Sequence, residues 1–196
     1  IDDLQTRLLK LPAAVISDVL DTMGLRDQVL AAAIKPVVPH WRIAGPAVCI
    51  RGERGPDKAT STGPKLGFEL DRRLHPGCIA VIDSGDCRVN ATMGGNMALS
   101  FSLRGCSGVV TDGAIRDADE FEETGLPVFC SFTTPLAPMG RWHYTSLDAP
   151  VDLPGQSAVR VTIRPGDYLV GDRDGVVVVL REIAAQVAAY DEVLEC

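Results

Sequence analysis

The chain has 196 residues, with 19 Lys plus Arg against 26 Asp plus Glu and a formal net charge of −7 at pH 7. This length suits one domain, spanning 1–196, that buries about 70% of the surface of its unfolded form, and the acidic balance gives no long-range attraction for phosphate backbones, so no nucleic-acid partner is expected. The six cysteines form no C-x-x-C pair and read as reduced thiols of a cytoplasmic protein, and the longest strongly apolar run, Val176 to Leu180, is too short to span a membrane.

In chain order, Asp2 to Leu11 and Ala13 to Met23 carry helical apolar spacing, and Gly24 stops the second helix. A connection containing Pro36 and Pro39 leads to a strand over Ala47 to Arg51, and the polar, glycine-containing stretch Gly52 to Gly63 reads as a mobile loop. Lys65 to Leu74 is expected to be helical, with His75-Pro76-Gly77 turning into a strand over Cys78 to Asp83. Next come a helix over Asn96 to Arg104, a strand over Gly108 to Thr111, a helix over Asp117 to Thr124 and a strand over Val128 to Phe132. The last third holds short strands at Val159 to Ile163, Tyr168 to Val170 and Val176 to Leu180, followed by an amphipathic helix over Glu182 to Leu194. The alternation predicts an α/β fold with a mixed sheet and helices outside it.

Two loops are candidates for chemistry. Asp112-Gly113-Ala114-Ile115-Arg116-Asp117 follows an apolar strand and opens a helix, offering a guanidinium fork for a carboxylate and a hard oxygen for a divalent cation. The structural alternative is that Asp117 caps its helix and Arg116 makes an ordinary surface ion pair. Met93-Gly94-Gly95-Asn96-Met97 places a glycine pair at a helix start, where free N–H groups can hold a carboxylate or enolate oxygen, although such a pair is also an ordinary tight turn. If the strands before these loops are parallel neighbours, both loops face one crevice.

Other chemistries find little support. His40, His75 and His143 are isolated and read as structural, which leaves no Ser/His/Asp, Cys/His or histidine-rich zinc arrangement. The lysines are Lys10, Lys35, Lys58 and Lys65, so an imine-forming lysine near Arg116 would require Lys58 or Lys65 to fold over the site. No G-x-G-x-x-G or Walker-type loop is present. What remains is oxygen-ligated metal chemistry on a small anionic substrate, with a divalent ion at Asp117 polarising a 2-oxo acid and Arg116 neutralising its charge. Asp112 reads as a turn residue or a support for the metal's surroundings, and Arg88, like Asp86, as a loop residue that could meet a distal carboxylate.

The segments Leu11 to Asp21, Gly45-Pro46-Ala47, Gly108 to Asp117, Gly125 to Phe129, Arg164 to Asp167 and Asp174 to Val178 resemble the RraA-like family in order and spacing. Within it the chain is similar to the metal-dependent 4-hydroxy-4-methyl-2-oxoglutarate / 4-carboxy-4-hydroxy-2-oxoadipate aldolases. The resemblance implies a layered α-β-β-α sandwich like the swivelling phosphohistidine domain, assembled as homotrimers or homohexamers with active sites between subunits. It also implies Mg²⁺ or Mn²⁺ at Asp117, the substrate's pyruvoyl group on Arg116, and its carboxylate on amides near Gly94, Gly95, Asn96 and Met97. The implied reaction is retro-aldol cleavage to pyruvate and a second oxo acid, with oxaloacetate decarboxylation as a side activity, both through a pyruvate enolate that the metal stabilises.

The sequence departs from that pattern at one place. The aldolases carry an acid 21 positions before the Arg, where this chain has Gly95. Asn96 or Asp112 could take over part of its role, or the substrate could differ. Two rivals belong to the same family: a non-catalytic regulator that binds an RNA-degrading enzyme, and a scaffold that has lost activity. Retention of Asp117 favours the enzyme, because the regulators typically replace that residue.

Overall fold

The computed structural model describes residues 3–55 and 66–190. In order these form α1 (Asp3–Lys10), α2 (Ala13–Thr22), β1 (Lys35–Pro36), β2 (Ile43–Arg54), α3 (Leu66–Arg73), β3 (Ile79–Asp83), β4 (Ala91–Met93), α4 (Gly95–Leu103), β5 (Gly108–Thr111), β6 (Ala114–Ile115) and α5 (Ala118–Thr124). They continue as β7 (Val128–Cys130), β8 (Phe132–Thr133), β9 (Trp142–Leu147), β10 (Val151–Pro154), β11 (Arg160–Ile163), β12 (Tyr168–Asp172), β13 (Gly175–Val179), a 3₁₀ turn at Arg181–Ile183 and α6 (Ala184–Ala188).

The main sheet runs β1-β7-β5-β3-β2-β12-β13, with β9 paired to the outer half of β2. Strands β7, β5, β3 and β2 are parallel, whereas β1, β12 and β13 are antiparallel to their neighbours. The side-chain alternation of these strands divides the interior. Val48, Ile50, Ala80, Ile82, Val109 and Val128 face outward onto α3, α4 and α5, burying Leu70, Phe101 and Phe121. Ala47, Cys49, Ile79, Val81, Val110 and Phe129 face inward, onto Val151, Leu153, Val161 and Ile163 of the β10–β11 ribbon. Helices α1, α2 and α6 cover the outer face of β12 and β13.

The sheet curls until its edges approach each other. A bridge joins Val29 to Val177, and Lys35 Nζ of β1 donates to the Asp174 carbonyl at the β12–β13 turn. The result is an α/β fold with a nearly closed barrel-like sheet and its helices outside. The expected layers are present, wrapped around the inward cluster.

Three expectations are corrected. Gly52 to Arg54 are strand, because β9 pairs with them beyond a bulge at Arg51/Gly52. The strand expected over Val128 to Phe132 breaks at Ser131, whose N–H turns to the Gly113 carbonyl at 3.1 Å. The closing helix is a 3₁₀ turn and a five-residue helix within the described residues. Positions 56–63 of the expected loop, Lys58, Lys65, residues 191–194 of the closing helix and Cys196 lie outside them. The five described cysteines are free thiols, and no described helix is long and apolar enough to cross a membrane.

Candidate active site

Strands β3, β5 and β7 each stop and resume one layer further on as β4, β6 and β8, which form a small parallel sheet in the order β4-β6-β8. Thr92 Oγ1 donates to the Ala114 carbonyl at 3.1 Å, and Arg116 N–H donates to the Met93 carbonyl at 3.1 Å. This second sheet brings the end of β4, Gly94-Gly95, beside the end of β6, Arg116-Asp117. The two candidate loops therefore share one crevice, as the sequence led us to expect.

Asp117 precedes α5 in the left-handed region, φ 58° and ψ 46°, which Asp tolerates better than most side chains. Its carboxylate does not cap α5. Instead Oδ2 accepts the Gly95 N–H at 3.1 Å, satisfying an amide at the start of α4, and also meets Arg116 Nε at 3.1 Å. The ion pair is about one-third exposed on each side, so its direct contribution to stability is small, at most about 1 kcal/mol. The Nη groups of Arg116 have no partner among the described residues and are available to a ligand.

The glycines are required by this packing. A Cβ on Gly94 would stand 2.6 Å from Asp117 Oδ2 and 2.9 Å from Arg116 Cγ. One on Gly95 would stand 1.7 Å from Glu120 Oε2. In the α4 turn that follows, Met97 N–H already donates to the Gly94 carbonyl at 2.9 Å, while Asn96 N–H has no partner among the described residues. Asn96 is thus the better placed amide for a carboxylate.

The glycine loop and Arg116 line a cavity of about 640 Å³, with Asp117 and Glu120 beside it and not among its lining residues. Gly94, Gly95, Asn96, Met97 and Arg116 form its polar end, and Met93, Pro138, Trp142, His143 and Tyr144 contribute elsewhere to its wall. Trp142 lies over Gly52, where a Cβ would stand 2.1 Å from the indole, and its Nε1 donates to the Ser84 carbonyl at 2.9 Å. Tyr144 OH donates to Met97 Sδ at 3.3 Å. Burial pushes its phenol above the ordinary range, with the nearby Asp71 charge acting the same way, so it remains protonated. His143 Nδ1 lies 3.1 Å from the Gly55 carbonyl, and Nε2 is 3.7 Å from Glu53.

The remaining candidates lie elsewhere. Arg88 is exposed on the β3–β4 loop and is not among the residues lining the cavity. Asp86 pairs with Arg160 at 2.7 Å. Asp112 is fully buried and accepts the Ser84 N–H at 2.7 Å, while its Oδ2 has no hydrogen-bond partner. It therefore steadies Ser84, which in turn holds Trp142. Sequence reasoning missed the aromatic wall. The run Trp142-His143-Tyr144 was the available signal, but β9 is polar enough to pass for a loop.

Comparison with known proteins agrees with this arrangement. The profile of the RraA-like family, described as Aldolase/RraA, matches residues 13–178. The chain belongs to the RraA-like family. This RraA-like chain is 34% identical over 179 residues to a protein of Halalkalibacterium halodurans provisionally named 4-hydroxy-4-methyl-2-oxoglutarate aldolase, covering 90% of the chain and 76% of that relative. It superposes on Streptomyces coelicolor RraAS2, described as an unusual member of the RNase ES inhibitor RraA protein family, with a TM-score of 0.82 and 25% identity, covering 100% of this chain and 94% of the other. A solved structure described among novel cellulases from microbes associated with the gut ecosystem gives a TM-score of 0.87 at 27% identity, covering 100% and 86%.

Proposed function

We propose that this RraA-like chain is a divalent-metal-dependent lyase that cleaves a 4-hydroxy-2-oxo acid to pyruvate and a second oxo acid, with oxaloacetate decarboxylation as a side activity. The observation that carries this reading is the pairing of Asp117 with Arg116 and the Gly95 N–H, which holds Arg116 at the polar end of the cavity. Homologues named as aldolases support it.

The residues present fit Mg²⁺ or Mn²⁺. Asp117 offers a hard oxygen over a glycine cradle that a Cβ would fill. Among the described residues no group of three or more His, Cys, Asp or Glu converges. Any such ion would therefore be held by one or two carboxylates, with water and substrate completing its shell. When bound, such an ion supplies Lewis acidity at the substrate's 2-oxo group.

The protein's own groups supply the rest. The free Nη atoms of Arg116 bind the pyruvoyl end of the substrate and offset negative charge as the C3–C4 bond breaks. Asn96 N–H is placed to hold the carboxylate at the start of α4, where the helix dipole also favours an anion. Met97, Trp142 and Tyr144 add apolar surface to the cavity wall, which lowers the local polarity around both interactions. The assembly proposed with this reading is a homotrimer or homohexamer with sites between subunits, and Leu99 and Leu103 on α4 and Met139 at the cavity are exposed apolar residues that a subunit contact would cover.

A coupled pyruvate-release assay tests the reading with oxaloacetate and with 4-hydroxy-4-methyl-2-oxoglutarate. Expected are loss of turnover in EDTA, recovery with Mg²⁺ or Mn²⁺, and a drop of at least about 100-fold in Arg116→Ala and Asp117→Ala. Turnover that survives both EDTA and Asp117→Ala overturns the metal mechanism. No turnover combined with inhibition of a purified ribonuclease replaces the lyase with a regulator.

A further inference from the structure

We infer that Glu120 supplies the second carboxylate of the metal site, taking the space left by Gly95. This rests on the metal-dependent reading above. The position 21 residues before Arg116 carries no side chain here. The space in front of it is nevertheless filled. A Cβ on Gly95 would stand 1.7 Å from Glu120 Oε2, 2.3 Å from its Cδ and 2.9 Å from its Cβ. A side chain at position 95 and the observed Glu120 side chain therefore exclude each other.

Glu120 reaches this place from the first turn of α5, where its N–H donates to the Asp117 carbonyl at 3.0 Å. Asp117 Oδ2 accepts the Gly95 N–H, and Glu120 Oε2 overhangs the same residue. Two carboxylates thus converge on one glycine from the adjoining strand end.

Their partners differ. Asp117 has Arg116 and the Gly95 amide, whereas Glu120 is exposed and its carboxylate has neither a hydrogen bond nor an ion pair among the described residues. One guanidinium stands beside two carboxylates at Gly95, a surplus of one negative charge next to the cavity lined by Gly94, Gly95 and Arg116. A divalent cation shared by Asp117 and Glu120 reverses that sign and gives the unpaired carboxylate a partner. Waters between the ion and either carboxylate fulfil the same role.

The test measures Mn²⁺ binding by electron paramagnetic resonance titration of the full chain without substrate, so it does not depend on turnover. The proteins are wild type, Glu120→Gln, Asp117→Ala, Gly95→Asp and the double variant Gly95→Asp with Glu120→Ala. Expected is Mn²⁺ affinity roughly 10–100-fold weaker in Glu120→Gln, with an unchanged unfolding midpoint in metal-free buffer. The double variant moves the carboxylate back across the gap and is expected to recover most of that loss. Gly95→Asp alone, with two side chains competing for one space, is expected to unfold at a lower temperature than the double variant. Wild-type affinity in Glu120→Gln, with binding lost in Asp117→Ala, overturns the role of Glu120 and leaves the metal site standing. Absence of Mn²⁺ binding by wild type at millimolar concentration overturns the metal-dependent reading and this assignment with it.

Discussion

Gly94 and Asp117 meet through the space a β-carbon would fill: a Cβ on Gly94 would stand 2.6 Å from Asp117 Oδ2. Gly94 has φ −150° and ψ −170°, extended backbone that alanine also adopts. Gly94→Ala is therefore expected to fold, with a stability change within about 1 kcal/mol because the partly exposed Arg116 and Asp117 side chains can swing outward. Displaced by an ångström, they should lose roughly 100-fold in kcat/KM for pyruvate release. Wild-type kinetics in this variant would show that their observed placement is not the working one.

Asp117 has two separable roles. Asp117→Asn keeps an oxygen for the Gly95 N–H and tolerates the left-handed backbone, so its unfolding free energy should stay within about 0.5 kcal/mol of wild type. Asp117→Ala loses the acceptor and should cost about 1 kcal/mol in urea denaturation. Both variants are expected to lose metal-dependent turnover. Equal stability losses in both would place the structural contribution in the charge rather than in the hydrogen bond.

Asp112 is expected to give the protein a pH-dependent loss of stability. Burial raises its carboxyl above the ordinary 3.8, and the nearby Asp83 and Asp86 charges act in the same direction against the lowering effect of the Ser84 bonds. The folded state then binds the proton more tightly than the unfolded chain. The contribution is full below the unfolded pKa and is lost as pH rises through the folded pKa. Asp112→Asn retains an acceptor for the Ser84 N–H and removes the titration, so its unfolding free energy should fall less than wild type's between pH 4 and neutrality. Asp112→Ala leaves that buried N–H unpaired and should lose about 1–3 kcal/mol at any pH. Parallel pH profiles for wild type and Asp112→Asn would refute the assignment.

The helices were legible from their helical apolar spacing, and the central strands because short continuous apolar runs such as Ile79 to Asp83 and Gly108 to Thr111 are bounded by turn residues. Strands β4 and β6 were not, since two or three residues carry no period, and their pairing is set by where β3 and β5 end. The strand β9 was hidden by its polar residues, and with it the Trp142 and Tyr144 wall. At the site, Arg116 and Asp117 stood out as a local pair, and the structure places Gly94 and Gly95 beneath them. Glu120 was invisible for a different reason. Its relation to Gly95 spans 25 positions and arises only once β4 and β6 lie side by side.

The small sheet β4-β6-β8 has only four residue pairings, yet Ala91, Met93, Ala114 and Ile115 are fully sealed from solvent. Its rigidity consequently comes from tight packing more than from its ladder. The Met93 carbonyl receives the Arg116 N–H while the Met93 side chain is locked in the core, so one buried thioether sets the spacing between the two halves of the site. A cavity opened at Met93 would reach the chemistry as a change of alignment before it reached the fold as a change of stability.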